Sequence, residues 1–236
     1  VILSLVLAFA GLALAGVILW DAFETVLVPR RIGRRIRLTR YFYVLTWPLW
    51  RAAALGVPSP SRREGLLGAY GPISLLGLLA CWALGLIAAF ALIQVGATLG
   101  AGGALEPVWR VLYMSGETFF TLGYGDVTPA TGLGKLAAVA EAGMGFAFLG
   151  TVIGYLPTMY ASFAQREVEI SLMDARAGSP PSAAEFLRRV APDGDPALAN
   201  EVMLAWERWS AHLLETHISY PQLAYYRSQH VNQSWL

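Results

Sequence analysis

The chain has 236 residues, of which 56% are hydrophobic and only 14% charged, with a mean hydropathy of +0.51 and a net charge of +1. Soluble domains carry about 25% charged residues, so the composition excludes one and places the chain in a membrane. The near-zero net charge offers nothing to a nucleic acid, and the single cysteine, Cys81, buried in an apolar run, excludes an intrachain disulfide.

Val1 to Trp20 carries no charge, and twenty residues at about 1.5 Å each cover a hydrocarbon core of about 30 Å. Starting at Val1 rather than methionine, the sequence implies residues missing or trimmed before it. The run is longer than a signal-peptide core and lacks a small-residue cleavage pattern, so residues 1–28 read as a retained transmembrane anchor. Trp20, Asp21 and Glu24 read as its approach to an interface, where a carboxylate reaches water.

Residues 29–65 form a basic linker with nine arginines against one acid, Glu64. By the positive-inside rule this linker is cytoplasmic. Tyr41 to Trp50, aromatic and interrupted by Pro48, is expected to lie along the inner headgroups rather than to cross. Two readings stand for Arg30, Arg31, Arg34, Arg35, Arg37 and Arg40. They can hold anionic lipid, or the every-third spacing of Arg31, Arg34, Arg37 and Arg40 can serve a voltage-sensing helix. A sensor needs several partner helices, and only one span precedes, which favours the lipid anchor.

A second span is expected over about 72–95 within the uncharged run Leu66 to Ala104, entering at Tyr70-Gly71-Pro72 and broken by the glycine-rich Gly96 to Gly103. Glu106-Pro107 then starts a helix over about 107–120, too short to span. It leads directly into Thr121-Leu122-Gly123-Tyr124-Gly125-Asp126, and its aromatics Trp109, Tyr113, Phe119 and Phe120 are candidates for a cuff around that stretch. A backbone that aims successive carbonyls at one axis must alternate between left- and right-handed conformations, and Gly123 and Gly125 sit where the left-handed ones are cheap. Leu122 and Tyr124 are then expected to point backwards against the surrounding helix, with Asp126 holding the outer end.

This stretch resembles the selectivity filter of potassium channels, most closely the prokaryotic ones. The resemblance covers about Gly71 to Gln165 and implies an all-α pore-loop membrane protein with outer helix, half-membrane pore helix, filter and inner helix. Here an N-terminal transmembrane helix and a helical cytoplasmic tail are added. It implies K+ as the permeant ion, held by the carbonyls of Thr121, Leu122, Gly123 and Tyr124 and by the Thr121 hydroxyl, with no cofactor. It further implies a homotetramer, since one filter per chain lines a quarter of a pore. Glu117 and Asp126 match a carboxyl pair that meets behind the filter; the plain alternative has Glu117 facing solvent at the outer rim.

The last span is expected over about 135–165, uncharged from Ala142 onwards. Gly150 reads as a packing contact. Gly143 and Gly145 stay open between packing and the gating hinge implied by the resemblance. Glu141 is a functional candidate whose face the sequence does not fix. The tail, residues 166–236, has six basic and nine acidic residues. Arg166 to Met173 continues the inner helix and Gly178-Ser179-Pro180-Pro181 breaks it. Ser182 and Glu185 form a capping box for a helix to Val190, and Asp193-Gly194-Asp195-Pro196 opens another through Trp206 and Trp209 to about His217. His212, Glu215 and His217 invite a metal assignment, but the spacing of the two histidines puts them on different helix faces, against a metal site. No nucleophile-base grouping supports an enzyme. A non-selective cation channel, or a membrane sensor or scaffold whose tail recruits a partner, are the competing functions. The membrane expected is the plasma membrane, with linker and tail in the cytoplasm.

Overall fold

The computed structural model describes residues 1–28, 37–178, 181–192 and 196–228, and every regular element in them is helical. In order these are α1 (Ile2–Val26), α2 (Leu38–Leu55), α3 (Pro60–Gly100), α4 (Val108–Phe119), α5 (Gly132–Ala177), α6 (Ala183–Val190) and α7 (Pro196–Ser219), then a 3-10 turn over Pro221–Tyr225. The helices α1, α3 and α5 are long and apolar enough to cross a membrane. This is the all-α fold class expected from the sequence. Of the six linker arginines singled out, Arg30, Arg31, Arg34 and Arg35 lie outside the described residues.

Two boundaries move for physical reasons. The helix α3 runs straight through Pro72 rather than starting there. Proline removes one N–H and crowds the carbonyl four residues back, which belongs to Gly68. Ser74 turns its hydroxyl onto the Gly71 carbonyl at 3.0 Å, three residues past the Gly68 carbonyl that the proline leaves without its helical partner. The same helix also passes Gly96, because that glycine is a packing slot: a Cβ there would sit 2.8 Å from the Ser4 carbonyl and 2.9 Å from Ala8 N. The break comes at Gly102, φ +81, with Gly103 N–H bonded to Thr98 O and Gly102 N–H to Leu99 O. That pair of bonds is a Schellman cap with glycine in its left-handed position. Cys81, expected to be buried, is exposed on α3.

The helices divide into two units, one holding α1, the start of α2 through Phe42, and Leu76–Tyr155, the other holding Tyr43–Leu75 and the chain after Leu156. In the first, α1 runs antiparallel to α3. Ser4 and Ala8 meet Gly96, Gly11 meets Ala89 and Ile18 meets Gly85, the small-residue stripe by which membrane helices approach. Asp21 and Glu24, expected to reach water, are instead buried. Asp21 Oδ2 accepts from Thr39 N–H at 3.0 Å, Thr39 Oγ at 2.7 Å and Trp82 Nε1 at 3.1 Å. One carboxylate on α1 thereby caps the first turn of α2 and holds α3. Arg37 donates to Thr25 Oγ at 2.9 Å and pairs with Glu24 at 3.6 Å.

In the second unit the C-terminal turn folds back on α2 and α3. Tyr225 stacks on Tyr43 with ring centroids 4.6 Å apart and contacts Trp47 and Tyr70. Tyr226 lies over Gly71, where a Cβ would come within 2.7 Å of its ring. Arg166 donates to the carbonyls of Tyr226 at 2.6 Å and Leu223 at 3.3 Å, and Arg227 pairs with Glu64 at 2.6 Å. Ser182 caps α6 through Glu185 N–H at 3.1 Å. The reciprocal half of the expected capping box is absent: Ser182 N–H bonds Ala177 O, and the Glu185 carboxylate is taken by Arg188 and Arg189. Phe186 stacks on Trp206 at 4.7 Å, joining α6 to α7.

Gly71→Val should displace Tyr226 and free the C-terminal segment, read as faster tryptic cleavage after Arg227 in the detergent-purified protein; an unchanged rate would reject the docked turn. The hydrogen bonds from Arg188 and Arg189 pull the Glu185 pKa down to about 2. A depressed carboxylate stabilises the fold above its unfolded value, near the ordinary 4.5, and loses that contribution as pH falls through about 2. A carboxyl-carbon NMR titration should show Glu185 ionised well below pH 4 and returned to the ordinary range when both arginines are replaced by glutamine.

Candidate functional site

The helix α4 presents one apolar face, Val111, Met114 and Phe119 with Ser115, at helical spacing. Val111 and Met114 pack on Ala91 of α3, flanked by Val95 and Val127. Its twelve residues rise about 18 Å, far short of a bilayer, so a chain entering here must turn back. Glu106 and Arg110 pair at 3.1 Å across the first turn.

The turn itself is a second Schellman cap. Leu122 N–H bonds Glu117 O at 2.8 Å and Thr121 N–H bonds Thr118 O at 3.1 Å, which puts Thr121 in the left-handed position with φ +56. Gly123 follows at +63 and Gly125 at +78, so handedness alternates through Thr121-Leu122-Gly123-Tyr124-Gly125. The expectation covered the two glycines; that a β-branched threonine opens the series was missed, because nothing in a threonine announces a left-handed backbone. Leu122 and Tyr124, expected to wedge against a helix, are 54% and 70% exposed in the single chain. Trp109 and Phe120 are exposed as well, whereas Phe119 is buried against Phe148 at 5.8 Å. A cuff around the turn is therefore not supplied by this chain's own aromatics.

Glu117 is buried, not at a solvent-facing rim. It interacts with the Asp126 carboxyl and with the Tyr124 backbone. Asp126 also accepts from Tyr113 Oη at 3.3 Å, a contact that the sequence does not announce. Thr131 caps α5, its Oγ accepting from Gly134 N–H at 2.9 Å, and Gln94 donates to Gly134 O at 2.9 Å.

Along α5, Gly143 has open space where a Cβ would be, but a Cβ on Gly145 would collide with the Phe119 carbonyl oxygen. Gly145 is thus where the inner helix touches the end of α4. Glu141, whose face was undetermined, is fully buried and bonded to Ser115 of α4. Ser115 was not singled out from sequence; a lone serine between apolar residues carries no signal until its partner is seen.

Helices long and apolar enough to cross a membrane, with a half-length helix that ends in a turn of alternating handedness, make up an all-α pore-loop fold. Residues 78–162 match the family model described as ion channel, a domain that supports passive ion conduction. A stretch of 53 residues is 42% identical to Protein LctB of Geobacillus stearothermophilus, covering 22% of this chain and 39% of that protein. The chain therefore spans well under two thirds of that relative's length. No solved structure matches the chain.

Gly145→Ala should lower thermal stability in detergent by about 2 kcal/mol or more, as overpacking at a backbone contact does, while Gly143→Ala, in open space within the helix, should hold or raise it by up to about 1 kcal/mol. Equal effects at the two positions would remove the contact assigned to Gly145.

Proposed function

We propose that four copies of this chain surround a common axis and conduct K+ selectively, the ion exchanging its water shell for the carbonyls of Thr121, Leu122, Gly123 and Tyr124 and the Thr121 hydroxyl. The observation that carries this reading is the backbone of Thr121. Among the described residues it is the sole non-glycine with positive φ, while the left-handed positions at Gly102, Gly123, Gly125 and Gly178 are all glycine. A left-handed L-residue costs about 1–2 kcal/mol, and the same cap at the end of α3 avoids that cost with Gly102. A threonine kept there against the backbone's preference supplies something glycine lacks, and its exposed side chain offers a hydroxyl where an ion would pass.

Exposure of Leu122, Tyr124, Trp109 and Phe120 supports assembly, since side chains flanking a filter require cover from neighbouring copies. Glu117 and Asp126 support the turn from behind together with Gly125. Gly143, free of neighbours, is the better hinge candidate of the two glycines. The arginine count of the linker supports a cytoplasmic linker and, by helix count, a cytoplasmic tail at the plasma membrane, with Arg30, Arg31, Arg34, Arg35 and Arg40 as the candidates for anionic lipid. Arg37 is engaged with Glu24 and Thr25.

Purified protein in liposomes should carry a K+ current whose reversal potential in mixed K+ and Na+ follows K+, and native mass spectrometry should give a tetramer. Thr121→Gly should hold or raise thermal stability, by up to about 1 kcal/mol, while cutting the K+/Na+ permeability ratio about tenfold, the worth of about 1.4 kcal/mol. A current that does not discriminate the ions would leave a non-selective channel; no current, with the tail capturing a partner, would leave a scaffold.

A further inference from the structure

Ser115 and Phe119 lie one turn apart on α4, and Glu141 and Gly145 one turn apart on α5, so each pair shares a helix face. The two faces meet as two rungs. The lower rung is the contact of Gly145 with the Phe119 carbonyl. The upper rung is polar: Ser115 Oγ lies 2.7 Å from Ile87 O of α3 and is hydrogen-bonded to Glu141 Oε1. Ser115 and Glu141 are both without solvent exposure within the single chain, so the rung is complete before any neighbouring copy arrives.

Proton accounting fixes the direction of these bonds. A serine hydroxyl has one proton, and a backbone carbonyl only accepts. We assign the Ser115 proton to Ile87 O, which leaves Ser115 Oγ to accept from Glu141 as the donor. Only the neutral carboxylic acid can donate. No Lys or Arg among the described residues interacts with Glu141, and an unpaired carboxylate in such surroundings is far costlier than an acid. Among the described residues its second oxygen, Oε2, has no hydrogen-bond partner, which a neutral carbonyl oxygen tolerates better than a charged one.

We propose that Glu141, as a neutral hydrogen-bond donor, is a positioning residue for ion conduction, tying the inner helix through Ser115 to the pore helix and to Ile87 of the outer helix. It acts on the ion path through α4. Thr121 lies six positions after Ser115, and α4 ends in the cap that sets the Thr121 backbone. Glu117 leaves the opposite side of α4 toward Asp126, so the helix is located by one carboxyl group on each side. The proposal rests on the channel reading for its functional part, but the donor assignment stands on geometry alone.

The experiment has two arms. In the first, infrared spectra of the purified full chain at neutral pH are compared with those of Glu141→Gln. A protonated carboxylic-acid carbonyl band present in the wild type and absent from the variant is expected; no difference in that region would overturn the donor assignment, whether or not the protein conducts. In the second, K+ flux per folded tetramer is measured in liposomes. Glu141→Gln keeps a donor of the same shape and should retain flux within about twofold. Glu141→Ala and Ser115→Ala each leave a buried group unpaired and should cut it about tenfold, with no further loss in the double variant. Flux unchanged in the folded alanine variants, or lost equally in the glutamine variant, would overturn the positioning role. If Glu141→Ala does not fold, Ser115→Ala gives the same comparison. Wild-type protein that carries no ion while showing the band would sink the channel reading and not the donor assignment.

Discussion

A helix that stops inside a membrane leaves its last carbonyls without partners, and no water is at hand to take them. The end of α4 meets that constraint by folding the chain back on itself, with Leu122 and Thr121 returning their N–H groups to Glu117 and Thr118. The solution dictates the conformation of the next residues. Once Thr121 is left-handed, alternation through Gly123 and Gly125 continues a pattern the cap has begun. The filter-like turn and the cap of the short helix are thus one backbone structure, and side chains enter mainly to hold it in place.

What holds it is a small number of contacts between helices that gain little from hydrophobicity, since lipid tails are as apolar as leucine. Two devices recur in the first unit. One is the glycine slot, as at Gly11, Gly96 and Gly145, where backbone meets backbone or a short side chain. The other is a single buried acceptor or donor shared by three elements. Asp21 serves α1, α2 and α3 through Thr39 and Trp82, and Ser115 serves α3, α4 and α5 through Ile87 and Glu141. Each polar node fixes register, which close packing of small residues alone leaves free to slide. Unpaired members would be costly in hydrocarbon, so these nodes act as all-or-none constraints.

The tail uses different means. Its docking relies on aromatic stacking and on Arg166, whose guanidinium answers the carbonyls of Leu223 and Tyr226. Leu223 O already accepts from Tyr226 N–H and takes Arg166 as a second donor, and an arginine with several donors in one plane can serve both carbonyls at once. Gly71 provides the hollow for Tyr226 on a helix whose proline, one residue later, already loosens the ladder. The second unit therefore connects the chain's last described residues to the beginning of α3 and to α5 through Tyr226, Arg166 and Phe163.

Much of this was legible in the sequence, and the part that was not has a common cause. Charge-free runs, the basic linker, the short α4 and the Ser182 cap are local patterns, and the helices appear where those patterns lie. Pro72 misled because a proline ends helices in water but is tolerated inside membrane helices. Gly96 misled because a loop glycine and a packing glycine look alike until the facing helix is known. Asp21 and Glu24 read as water-seeking because a single sequence shows the charge and not Thr39, Trp82 or Arg37 coming to meet it. Thr121 is the hardest case. Its motif was recognisable at once, yet its left-handed backbone arises from bonds made by Glu117 and Thr118. Composition governs which segments become helices; where a residue departs from its own preference, the reason lies in partners distant along the chain or in the geometry of the helix that precedes it.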